Sequence, residues 1–258
     1  LERKLEEKYG LTEALIAVPA YEQSSDQEVA FQAVDYILRV LKKNMVFGMT
    51  WGRAMHEFVE QLAKDERLRS LSFQNVKVVP FLGTPGAIQS DSWNTTTYSN
   101  TLATKVGNLL HCASYNLSAP MYVEGTKEKE LIESIDEIAK VLHMAETADI
   151  ALIGIGSMQD DSSIIKAEIR TKEEYKELVR KGAVGEIVGR IYDKNGQTVD
   201  EDLKRKMVGI SLDKIAKIPV RVGMSYGKDK IEAIKGAIAG GLVNVLVTDV
   251  PTAELLLK

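Results

Sequence analysis

Cysteine is nearly absent from this sequence. Its one copy, Cys112, excludes an intrachain disulfide framework and fits a reducing cytoplasm, the expected location. Histidine is almost as scarce. His56, His111 and His143 stand apart, without zinc-site spacing, so neither a metal nor a cofactor is expected. No apolar run approaches the ~20 residues that span a bilayer. No basic-plus-apolar leader opens the chain. A membrane partner is therefore not expected. Basic residues do not dominate either: 33 Lys and Arg against 37 Asp and Glu leave a net charge of −4. Contact with DNA phosphates needs a clustered basic surface, so these 258 residues are not expected to grip nucleic acid alone. There is no internal repeat, no low-complexity tract and no Pro- or Gly-rich linker that divides the chain. The first residue is Leu1 rather than a methionine, which raises the expectation of a segment upstream.

What is present is a globular mixture, 45% hydrophobic and 27% charged. Short apolar runs alternate with helical periodicity. Strands are predicted at residues 14–18, 45–49, 76–81, 114–117, 150–155, 220–224 and 243–247. Helices are predicted at 1–10, from Ser25 (in a Ser25-Asp26-Gln27-Glu28 capping-box pattern), and at 53–63, 98–110, 127–144, 171–181 and 229–239. The 127–144 helix is expected to break near Ser134, and Pro251 to open a terminal helix. Residues 182–193 read as a glycine-punctuated β segment, and 156–218 as a smaller, less regular subdomain. The pattern predicts an α/β fold, a mainly parallel sheet with helices on both faces, in one domain over residues 1–258.

In such sheets ligands bind beyond the carboxyl ends of the strands. Gly48-Met49-Thr50-Trp51-Gly52-Arg53 runs there from strand to helix. Glycines let amide groups approach an anion, the helix start adds positive potential, Thr50 offers a hydroxyl and Arg53 a charge. The same pattern serves a plain turn in which Trp51 only packs. Gly223-Met224-Ser225-Tyr226-Gly227-Lys228-Asp229-Lys230 is a second such turn. It misses a Walker A loop, because three residues separate the glycines and Asp229 stands where Ser or Thr would hold magnesium. It also spells Gly-x-Ser-x-Gly, but no histidine follows Ser225 to serve as its base, so neither nucleotide nor ester hydrolysis is expected. Lys230 can meet a phosphate as a point charge, or be a solvated lysine. Asp193 can accept from sugar hydroxyls, or form the turn at Lys194-Asn195-Gly196. Gly154-Ile155-Gly156-Ser157 lacks the third glycine of a dinucleotide fingerprint.

Taken together these segments resemble the sugar-binding domain of SorC/DeoR-type bacterial transcriptional regulators. The resemblance runs over essentially the whole chain and is carried by residues 48–53, 148–156, 182–193 and 218–249. It implies a fold related to sugar-phosphate isomerases and deaminases, a phosphorylated-sugar effector, and a homo-dimer or tetramer. It also implies an N-terminal helix-turn-helix domain, absent here, through which alone operator DNA would be bound. The implied effector and phosphate residues are Thr50, Gly52, Arg53, Gly83 and Lys230, with Gln89, Asn100 and Asp193 reading hydroxyls. Two departures stand out: Ala54 replaces a polar residue, and Leu82 stands where some relatives place a lysine, which implies reversible rather than covalent capture. No catalytic residue is expected. The rival reading is a sugar-phosphate isomerase or deaminase, for which only Asp193 and Glu186 offer acid–base groups.

Overall fold

A computed structural model describes residues 1–18, 25–85, 95–160 and 162–258. Seven strands form one sheet: β1 (Glu13–Ala17), β2 (Val46–Met49), β3 (Lys77–Pro80), β4 (Ala113–Ser114), β5 (Ile150–Gly154), β9 (Val220–Met224) and β10 (Val245–Asp249). Their spatial order is β1-β10-β9-β5-β2-β3-β4, and every pair is parallel. The expected fold class is therefore the observed one.

Alternation within the strands puts successive side chains on opposite faces. Ile150 and Leu152 of β5 face one core with Phe47, Met49 and Val78; Ala151 and Ile153 face the other with Val79 and Phe81. The first core is covered by α2 (Ser25–Val40), α3 (Arg53–Leu62) and α4 (Ser99–Leu109). The second is covered by α1 (Glu2–Tyr9), α6 (Asp136–Glu146), α11 (Ile231–Ala239) and α12 (Val250–Leu257). Gly48 is glycine for a packing reason: a Cβ there would collide with the Phe81 ring, which lies across β2.

The irregular stretch resolves into a three-stranded sheet, β6 (Gly156–Ser157), β7 (Ala183–Ile187) and β8 (Arg190–Asp193), with α7 (Ser163–Lys166), α8 (Lys172–Arg180), α9 (Glu201–Lys206) and α10 (Leu212–Ile215). Its Ile164, Tyr175, Ile187, Tyr192 and Met207 share one continuous core with Val79, Ala151 and Leu246 of the main sheet. The β7–β8 hairpin turns through Val188 and Gly189, both at positive φ (56° and 68°), as a type I′ turn requires.

The 127–144 helix breaks near Ser134 as expected, dividing into α5 (Thr126–Glu133) and α6. Other boundaries differ from the sequence reading. The last strand begins two residues later and runs to Asp249, because its register is set by pairing with β1 and β9. Ser25 is the first described residue of α2, and its hydroxyl donates to Asp249 Oδ2 at 3.0 Å. A capping box does exist at Thr171 and Glu174, opening α8.

Candidate functional site

The strand order fixes where a ligand can enter. From β2 the chain steps outward to β3 and β4, then returns to lay β5 on the other side of β2 and continues to β9 and β10. The reversal lies between β2 and β5, and connecting segments leave opposite faces there, opening a crevice past the strand ends.

Thr50 locks the floor of this crevice. It is fully buried, its amide donates to Leu152 O at 3.1 Å, and its hydroxyl oxygen accepts from Gly154 N–H at 3.0 Å. Gly52 follows with φ 101° and ψ −178°, a conformation that side chains resist. A Cβ there would meet nothing, so the glycine serves the backbone rather than space. The Gly52 amide is already used, donating to Thr97 O at 3.0 Å. Helix α3 starts at the exposed Arg53 with no side-chain cap. Its first-turn amides and dipole give this end of the crevice a positive potential.

The strand next to β5 supplies the second wall. After β9, Ser225 donates to Ile155 O at 3.4 Å, which leaves its hydroxyl in a structural bond with a carbonyl. Gly227 (φ 107°) donates to Thr252 Oγ1 at 2.7 Å, and Ser157 donates to Asp229 Oδ2 at 3.2 Å. These bonds hold the turn that carries the half-buried Lys230 to the start of α11.

A third element comes from the small sheet. Glu186 pairs with Gly156 across β6 and β7 and is only 6% exposed. Its carboxylate accepts from the Gly189 amide at the hairpin tip, and the Lys230 charge and the Trp51 side chain act on it. Burial pushes Glu186 up to about 7, against the pull of the Gly189 bond, Lys230 and the indole. Gly156 leaves room for it, since a Cβ there would stand 2.8 Å from Glu186 Oε2.

The structure thus places Thr50, Gly52 and Arg53 past the end of β2 and Lys230 past the end of β9, with β5 between them. Other expected residues fare differently. Gly83 is wedged against the carbonyls of Ala119 (2.5 Å from a hypothetical Cβ) and Pro120, and its amide donates to Val208 O, so it is no open phosphate donor. Asn100 spends its amide on Thr84 Oγ1, Leu117 O and Leu117 N–H, stitching α4 to two loops. Asp193 takes the turn role: its carboxylate accepts from the amides of Asn195 and Gln197, both at 2.9 Å. It packs by Gly236, about 9 Å along α11 from Lys230 at 1.5 Å per residue. Gln89 lies outside the described residues. Leu82 is buried and bridges to Gly209.

A groove of about 750 Å3 lies elsewhere, between α6 and Tyr115, Asn116 and Ser118 at the β4 edge. The helix start it contains carries Asp136 and Glu137 in its first turn, which already occupy the positive end of the dipole, so the switch-point crevice is the better anion site. Among the described residues, no three His, Cys, Asp or Glu side chains gather as metal ligands. No described helix is long and apolar enough to cross a membrane.

A family described as "Putative sugar-binding domain" matches residues 1–258. The chain belongs to this family. It is the sugar-binding, effector domain of SorC/DeoR-type transcriptional regulators. It is 30% identical to the sorbitol operon regulator of Klebsiella pneumoniae, covering all of this chain and 80% of that protein. It is 25% identical to the deoxyribonucleoside regulator of Bacillus subtilis, over 98% of this chain and 78% of the relative. The full-length sorbitol operon regulator from Klebsiella pneumoniae superposes with a TM-score of 0.88 at 28% identity, over 100% of this chain and 80% of that one. For this sugar-binding domain, sequence reasoning weighed Glu186 only as an enzyme's base and Trp51 only as packing. Trp51 follows β2 and Glu186 lies on the small sheet, so nothing local in the sequence signals that one acts on the other.

Proposed function

We propose that the crevice between the ends of β2 and β5 binds a phosphorylated sugar. The phosphate sits at the first turn of α3, by Gly52 and Arg53, within reach of Lys230. The hydroxyls face the buried Glu186 carboxylate. The observation that carries this reading is the convergence, at one switch point, of an uncapped helix start, a second loop ending in Lys230 and a buried acceptor. An anion is favoured by the first two and a polyol by the third.

Binding that favours one arrangement of a dimer or tetramer would shift the population of that arrangement. A helix-turn-helix domain outside these residues would feel that shift and alone touch operator DNA, in the cytoplasm. The acidic balance of the chain supports this division of labour. The non-enzymatic reading is supported by the relatives, which are named as regulators, and by Ser225, whose hydroxyl is tied to a carbonyl. One observation favours the rival isomerase reading: a buried carboxylate at about 7 has the poise of a general base.

Thermal unfolding with glucose 6-phosphate, ribose 5-phosphate, dihydroxyacetone phosphate and their neutral sugars tests the proposal. A ligand at a hundred times its Kd adds about 2.7 kcal/mol and raises Tm. Lys230→Ala should weaken phosphorylated sugars roughly ten- to hundredfold, as the loss of one charged hydrogen bond does. It should leave neutral sugars unchanged. Equal weakening of both refutes the phosphate role. Turnover of any sugar phosphate, abolished by Glu186→Gln, refutes the binding-only reading.

A further inference from the structure

Lys230 reaches the crevice from a tight turn, and the backbone of Gly227 is the pivot of that turn. The Gly227 carbonyl accepts from the Lys230 amide at 3.0 Å, so the lysine hangs from it. The Gly227 amide donates to the Thr252 hydroxyl oxygen at 2.7 Å. A glycine at φ 107° has wide backbone freedom, and these two bonds take it away.

Thr252 is itself held fast. It lies in the first turn of α12 and is fully buried. Asp249, the N-cap of that helix, accepts from the Thr252 amide on Oδ1 at 3.0 Å. Its other oxygen accepts from the Ser25 hydroxyl of α2, also at 3.0 Å. Asp249 and Ser25 are buried as well, so the bonds run Ser25 to Asp249, Asp249 to Thr252, and Thr252 to Gly227 without meeting solvent. Buried bonds of this kind are costly to leave unmade, which keeps the hydroxyl in one place. Other ties brace the sides of the turn: Ser157 of β6 holds Asp229, and Tyr226 bonds Asp26 of α2. Neither bonds the backbone of Gly227.

We infer that Thr252 is a positioning residue of the effector site: acting through Gly227, its hydroxyl fixes the turn that presents Lys230 to the phosphate of the effector. This deepens the reading of the crevice as a sugar-phosphate site and rests on it. The physical reason is preorganisation. A lysine gives up rotamer freedom when its ammonium meets a phosphate. A loose backbone beneath it would add its own ordering cost at the moment of binding. The Thr252 bond orders that backbone beforehand.

Thr252→Val keeps the branched shape and removes the acceptor, whereas Thr252→Ser keeps the oxygen and drops a methyl. Calorimetry compares both with wild type, using glucose 6-phosphate, ribose 5-phosphate and dihydroxyacetone phosphate. The valine variant should bind roughly three- to tenfold more weakly, as the loss of one neutral hydrogen bond does. The serine variant should bind as wild type does. A residue that acts through Lys230 has nothing to act on once the ammonium is gone. In a Lys230→Ala chain, therefore, adding Thr252→Val should cost no further affinity. An equal loss in both backgrounds marks plain damage to packing and overturns the inference, as does a serine variant as weak as the valine one. If Thr252→Val fails to fold, hydrogen exchange of the ligand-free wild type decides: the Gly227 amide should exchange more slowly than in an unfolded chain, and exchange at the unfolded rate overturns the inference. If none of the three compounds binds wild type, the sugar-phosphate reading falls and takes this inference with it. Binding to wild type that Thr252→Val leaves intact removes the inference alone.

Discussion

Arg190→Met removes a guanidinium that is 3% exposed and bonded only to main chain. It donates to the carbonyls of Gly209, Lys204, Met207 and Ile210 at 3.0, 3.1, 3.2 and 3.4 Å. Burial lowers its pKa to about 10, with the Glu133 charge opposing. That drop from the ordinary arginine value corresponds to a penalty on the order of 3 kcal/mol for keeping the cation inside. Charge-assisted hydrogen bonds contribute about 1.5–3 kcal/mol each, and the longest of the four sits at the low end. The bonds outweigh the penalty, and removing the cation strands four carbonyls that shape residues 204–210. Methionine refills part of the stem's volume, so the net loss should be about 3–5 kcal/mol. The sign with pH follows from the lowered value. Below about 10 the group is protonated whether folded or unfolded, so the loss should be the same at pH 6 and pH 8. Urea unfolding, followed by circular dichroism at both values, reads it as a fall of about 1 M or more in the midpoint. A loss under about 1 kcal/mol, or one that differs widely between the two pH values, would refute the reasoning. The β3 exit should loosen as well, because Ile210 N–H bonds Phe81 O at 2.9 Å and Gly83 N–H bonds Val208 O at 3.1 Å.

Thr50→Val keeps the shape but leaves the Gly154 amide without its 3.0 Å acceptor, so stability should fall by about 1–2 kcal/mol and sugar-phosphate affinity with it; unchanged unfolding midpoints would count against Thr50 as the floor of the crevice. At the free edge of β1, the amides of Ala14 and Ile16 donate to Glu6 Oε1 (3.0 Å) and Glu2 Oε1 (3.2 Å). Four helical residues rise about 6 Å and two strand residues about 6.6 Å, so the two carboxylates stand in for the carbonyls of a further strand. Glu2→Ala with Glu6→Ala should expose that edge and produce concentration-dependent association in light scattering; a chain whose mass stays constant with concentration would show that the edge needs no such cover.

Much of the fold can be read directly from residue order. The apolar runs at 150–155 and 220–224 are β5 and β9 within a residue, and the helical spacing at 53–63 and 229–239 is α3 and α11 within two. Glycine-bearing strand-to-helix turns at Gly52 and Gly227 are visible for the same reason: their backbone needs are local, and both sit at positive φ. Ligand residues are less legible. Asp193, Asn100 and Gly83 look equally suited to a sugar in one dimension. In three dimensions a turn, a loop tie and a backbone crossing claim them. Periodicity says which face a side chain takes but not which strand lies next to it.

The sequence by itself determined the α/β class, the alternation of elements, the glycine-bearing strand-to-helix turn at Thr50–Arg53 and the resemblance to a family of sugar-binding domains. Strand order belonged to the tertiary structure, because it depends on pairings between residues a hundred positions apart. Thr50 and Gly154, joined across 104 residues, tie the ends of β2 and β5 together, and Glu186 reaches them from a second sheet through its pairing with Gly156. A buried carboxylate becomes a poised group only when low-dielectric surroundings and specific donors meet around it, and no local stretch of this chain contains both.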